Sequence, residues 1–239
     1  MIDRSVLKWG GGAAVVSAAL GFVFNILHPR SSEALDSAVG ELRLIADSDI
    51  WLFDHFMLAW SIGFAAIGLV AIGWSFVGGR AAGWARLATA AAIGSVTVAF
   101  VTLAIDGMAM QEVADRWAEA GGDAAATAAA EGIVNVSLAL FTATIGSLFG
   151  LTPVLFGITS LSSDQHPNWL GQLALGAGLV GLLTASLQYL SGPSDFVTNI
   201  LFPIASLGFT IWSLVMGLRL WQGRGIPATA EPEVRATVA

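Results

Sequence analysis

The stretch IWLFDHFMLAWSIGFAAIGLVAIGWSFV, residues 50–77, decides the architecture. Asp54 and His55 stand near its start, and no charged residue follows to its end. An apolar run of about 20 residues crosses a hydrocarbon core of about 30 Å as an α-helix. Backbone groups in lipid must satisfy one another, so only helices or a closed barrel can span it. Barrel strands alternate apolar and polar residues over about ten positions. This run does not alternate, so it reads as a helix.

Comparable runs recur on both sides of it. Hydrophobic residues make up 56% of the 239 and charged residues only 11%, far below the share of a soluble domain. The sequence predicts an all-α polytopic membrane protein, a bundle of six transmembrane helices with one short outer amphipathic helix. The spans fall at about 9–28, 50–77, 81–110, 130–152, 169–190 and 196–220. Residues 1–222 form one transmembrane domain, and 223–239, rich in Pro and Ala, form a disordered cytoplasmic tail. The first run is longer than a signal-peptide core, so it is read as a retained span.

The connections carry their own signals. Pro29 stops the first span. Leu35, Val39, Leu42 and Ile45 recur at helical spacing and predict an interfacial helix over about 32–46, with Ser32 as N-cap and a polar side of Asp36, Ser37 and Glu41. The third helix continues past Asp106 through Glu112 and Trp117 until Gly121 and Gly122 break it. Asp123 caps the fourth. Pro153 and Pro203 are expected to bend their helices. Gly and Ala line one side of several spans, permitting tight packing or association with a second copy or another membrane protein. Most tryptophans, Trp51 and Trp212 included, fall near span ends as an interfacial belt, whereas Trp60 is deeper and expected to pack.

Six spans put both termini on one side. That side carries seven of the ten basic residues and only four of the seventeen acidic ones. The positive-inside rule makes it cytoplasmic and places the chain in a plasma (inner) membrane. A net charge of −7 argues against nucleic acid as a partner.

With this topology His28, Asp54, His55, Asp106, Glu131 and Asp195 come to one depth at the outer face. Ionisable groups at membrane depth are costly and usually face a bundle interior or a wet cavity. The chain has no cysteine, so a metal here has only imidazole and carboxylate donors. That donor set suits zinc, iron, manganese or copper. The expected ligands are His28, His55, Asp106 and Glu131, with Asp54, Asn135, Gln188 and Asp195 as supporting or pocket residues. No HExxH or other strict metal motif is present. Haem between His28 and His55 is a weaker variant, because both ligands would come from one hairpin.

Two other readings compete. An acidic outer vestibule can concentrate cations for a small-solute or ion transporter, with the lipid-embedded Ser and Thr residues as a path. A non-catalytic subunit can use its Gly/Ala faces to hold a protein partner. An intramembrane enzyme remains open, but its catalytic residues are not identifiable. G-x-S-x-G and phosphate-loop motifs are absent. A plain helix-end role for the polar residues fits too, since Asp54 in a first helical turn complements the helix dipole.

Overall fold

The computed structural model describes residues 3–31, 33–34 and 37–225. It is all helical, with no strand among the described residues. Six helices are long and apolar enough to cross a membrane. The first is α1, Arg4–Leu27. A short helix α2, Ala38–Ala46, precedes the second, α3, Trp51–Ser75. The third is α4, Gly79–Leu103, continued through a π-helical turn Ala104–Ala109 into α5, Met110–Glu119. The fourth is α6, Ala124–Thr144, continued through a π turn Ile145–Leu151 into α7, Thr152–Leu161. The fifth is α8, Asn168–Ser191. The sixth is a π turn Val197–Leu201 leading into α9, Phe202–Trp221.

Local chemistry sets the ends. Asp3 caps α1 by accepting from the Ser5 amide at 2.8 Å. Asp123 caps α6 by accepting from Ala126 at 2.7 Å, as expected. Gly121 and Gly122 take φ of 74° and 65° in the turn between α5 and α6, a region that favours glycine. Ser37 caps α2, with its hydroxyl accepting from Gly40 at 3.1 Å. Ser32, Leu35 and Asp36 lie outside the described residues, as does the tail from 226 onward.

Pro153 and Pro203 each stand just after a π turn. Proline lacks an amide hydrogen and its ring crowds the carbonyl four residues earlier. A widened turn ahead of the ring accommodates that misfit. The π turn at Ala104–Ala109 has no proline near it.

The bundle packs through small residues. Gly11 of α1 meets the Gly217 carbonyl of α9, where a Cβ would sit 2.6 Å from it, and Gly68 of α3 lies against Ala14. Such contacts gain from dispersion and close backbone approach. The core between helices is alanine-rich, with Ala88, Ala92 and Ala99 almost fully buried beside Leu148, Phe156 and Trp212. Lipid-embedded hydroxyls mostly bond back to their own helices, as Thr142 does to Leu138 and Thr184 to Val180. Thr102 also pairs across helices with Thr144 at 2.7 Å and Ser95 with Thr152 at 3.0 Å, and Ser61 donates to the Ser17 carbonyl of α1 at 2.9 Å.

The helix Gly79–Glu119 has 41 residues and Ala124–Leu161 has 38. At about 1.5 Å per residue each exceeds the roughly 30 Å core about twofold. Their polar ends therefore project from one face as a helical hairpin. The α2 helix lies on that hairpin, and Leu42, Ile45, Trp51, Met110, Ala114, Trp117 and Ala130 form a second apolar core. Trp51 is 2% exposed in this cap, so it is not a belt residue, and Trp212 is buried in the bundle. Trp60, by contrast, is 53% exposed on the outside of the bundle.

Candidate metal centre

The polar residues that meet do so where the cap joins the bundle. His28 is the C-cap of α1, its amide still bonded to the Phe24 carbonyl. Pro29 disfavours helical geometry in the residue before it, which fixes the helix end there. Asp54 and His55 lie in the first turn and a half of α3. Consecutive helical residues point about 100° apart. One helix can therefore aim Asp54 at α1 and His55 at the α4 extension.

His28 Nδ1 and Asp54 Oδ2 are 2.7 Å apart. His55 Nδ1 lies 2.8 Å from the Trp51 carbonyl of its own helix and 3.9 Å from Asp54 Oδ2. His55 Nε2 lies 3.1 Å from Asp106 Oδ2. Ser137 of α6 donates to Asp106 Oδ1 at 2.7 Å, and the Trp51 indole donates to the Asp106 carbonyl at 2.9 Å. The His28 and His55 rings are 5.1 Å apart, and Trp51 covers both. Gly107 seats the His55 ring, since a Cβ there would come within 2.7 Å of His55 Cβ.

The pairings alternate acid and imidazole from His28 to Asp106. Asp54 is 1% exposed and His55 3%, whereas the His28 side chain is 27% exposed. One donor atom each from His28, Asp54 and His55 lie within 4.8 Å of one another, close enough to share one ion. Asp54 Oδ1 is buried and has no hydrogen-bond partner among the described residues. A carbonyl can only accept, so the His55 nitrogen facing Trp51 carries a proton. With Nε2 set against a carboxylate, the ring donates from both nitrogens only as imidazolium.

The other expected residues are elsewhere. Glu131 and Asn135 are exposed on α6. Asp195 is exposed and accepts from Asn199 at 3.1 Å. Gln188 is buried on α8, and its Oε1 has no partner among the described residues. Ser137, two residues beyond Asn135, turns inward where Glu131 and Asn135 do not. Glu41, expected on the polar side of its helix, is half-buried beside the cluster. Burial, with the Asp106 charge adding and His55 opposing, pushes its carboxyl up to about 7. The third histidine, His166, lies at the opposite end of the bundle, where its Nδ1 accepts from Arg219 Nε at 3.2 Å. Comparison with known protein families, curated proteins and solved structures finds no match to this chain.

Proposed function

We propose that this polytopic membrane protein binds a divalent metal ion at its outer face through His28, Asp54 and His55. Zinc, iron, manganese and copper all suit that donor set. The observation that carries the reading is Asp54 Oδ1, a buried carboxylate oxygen left without a partner between two imidazoles. A buried carboxylate oxygen without a partner is unfavourable unless something compensates it, even with the other oxygen paired to His28. A cation beside Asp54 does so. Asp106 supports His55 from behind, in the common carboxylate–histidine–metal order, and Ser137 in turn holds Asp106. The basic side of the bundle carries the termini, which makes the metal face extracytoplasmic in a plasma membrane. Glu131 has no part in this reading, because it is exposed.

One observation favours a proton in the metal's place. His55 Nδ1 is engaged by the Trp51 carbonyl. In that case the cluster is a chain of two imidazole–carboxylate pairs without metal. Metal binding at this nitrogen would displace the proton, so metal and proton compete.

Elemental analysis of detergent-purified protein separates the two. The expected result is about one equivalent of metal per chain, lost in a His28→Ala/His55→Ala variant that still folds by circular dichroism. Protein that stays metal-free after reconstitution with each candidate ion refutes the reading.

A further inference from the structure

We infer that a metal held by His28, Asp54 and His55 keeps one coordination position open to an oxygen-donor ligand, a water molecule or a small anion, entering from the outer surface. The inference rests on the three-ligand reading above and takes it further, from a structural ion to a reactive one.

Structural zinc sites close with four protein ligands, whereas catalytic sites use three and leave the fourth position to water or substrate. Here three side chains offer donor atoms within 4.8 Å of one another among the described residues, and the Trp51 carbonyl beside His55 Nδ1 already serves its own helix as an acceptor. No thiolate exists in the chain, and the third histidine is at the other end of the bundle beside Arg219. Asp106 already faces His55 Nε2 and Ser137. Glu131 and Asp195 are exposed and apart from the cluster.

The direction of the opening follows from exposure. Asp54 and His55 are sealed by the bundle, and His28 alone reaches the surface. Pro29, its neighbour, lines a cleft of 330 Å³ between the 29–33 connection and α2. Ligand pockets begin at about that size. Arg43 lines the same cleft, paired only loosely with Glu33 at 3.6 Å, and both side chains are well exposed. Glu33 and Asp47 line the cleft too, so its wall offers polar groups of both signs. An open position on a Lewis-acidic metal lowers the pKa of bound water and polarises carbonyl or phosphoryl oxygens.

The test is optical and uses the full chain, purified in detergent and loaded with Co(II). Azide and acetohydroxamate are titrated separately while the visible d–d bands are followed. The expected result is a saturable spectral change, with cobalt retained after desalting. Asp36 lies outside the described residues, so Asp36→Asn is titrated in parallel. Cobalt bound by the wild type, with bands unmoved by either anion, overturns the open position. An anion response that appears only in Asp36→Asn overturns it too, because Asp36 then closes the site. A wild type that takes up no cobalt fails at the earlier step and removes the metal reading itself.

Discussion

Replacing Asp54 by Asn should change stability in opposite directions with and without metal. The side chain is 1% exposed, with Oδ2 2.7 Å from His28 and Oδ1 unpartnered among the described residues. In metal-free protein the carboxylate bears the cost of a buried charge that is only half satisfied. An unsatisfied buried polar group costs about 1–3 kcal/mol, and more when charged. Asn keeps the shape and an acceptor for His28 and removes the charge, while leaving an unpartnered amide nitrogen where Oδ1 stood; relief of the buried charge is the larger effect, so the metal-free variant should gain up to about 1 kcal/mol. With metal the sign reverses. An ion at a hundredfold excess over its Kd stabilises the folded state by about 2.7 kcal/mol. If losing the charged ligand weakens binding about a hundredfold, the same ion concentration leaves only about 0.4 kcal/mol. Thermal unfolding in detergent, followed by tryptophan fluorescence with and without added zinc, reads both effects. A zinc-induced rise of equal size in wild type and Asp54→Asn would refute the reasoning. So would a metal-free variant clearly less stable than wild type, since Asp54 would then be held by something other than a missing cation.

Asp106→Asn should keep metal stoichiometry but weaken affinity about 10–100-fold, as loss of a supporting carboxylate does, and competition with a chromophoric chelator measures it. Gly107→Ala should displace the His55 ring and lower metal occupancy, because the added methyl meets His55 Cβ at 2.7 Å; unchanged occupancy would show that the π turn does not position that ring. Glu41 has a folded pKa raised to about 7 by burial. Its contribution to stability is therefore fully present below its ordinary value and lost as pH rises through about 7. Glu41→Gln should raise stability at about pH 8 by roughly 1–2 kcal/mol, after allowance for its partial exposure, and leave it unchanged near pH 4. His166 behaves in the opposite sense. Burial, then the Arg219 charge, pushes it down to about 4, so stability is full above its ordinary value of 6.5 and falls as pH drops toward 4. A shift of that size is worth roughly 3 kcal/mol. His166→Gln should flatten the acid limb of a denaturation curve, and an unaltered limb would assign acid unfolding to other groups.

The six helices were legible because lipid makes only one demand that sequence can meet locally. A long apolar run must be a helix, and its ends are written in residues such as Pro29, Gly121 and Asp123. The cap was half legible. The spacing of Leu42 and Ile45 gave α2 its apolar face, and the run to Trp117 gave the projecting helix. What these faces cover was not legible, because burial of Trp51 depends on α5 and α6, far from it in sequence, as well as on α2. Trp60 shows the converse. Its depth in the span implied packing, but the side it takes is set by which neighbours α3 receives, and it received none there.

The cluster turns on the same distinction between depth and direction. Counting residues from a helix end gives depth, and on that count His28, Asp54, His55, Asp106, Glu131 and Asp195 are equivalent. Direction around the helix axis is set by packing, and it divides them. Asp54 and His55 differ by a single step of about 100° and so face different neighbours. Glu131 and Asn135 share a face that looks outward, while Ser137 looks in. At Asp106 even a helical wheel drawn from sequence would mislead, because the π turn Ala104–Ala109 alters the phase of everything beyond it. The other two π turns accompany Pro153 and Pro203 and have a steric cause in the sequence. This one has none, and it holds the two contacts that fix His55: the Asp106 carboxylate on Nε2 and the glycine that clears space for the ring. Single π turns inside α-helices occur frequently at functional sites. Here the local deviation from α geometry, with no proline to account for it, coincides with the residues that orient the most buried imidazole of the cluster. That coincidence makes the π turn part of what positions His55, through Asp106 and Gly107 together.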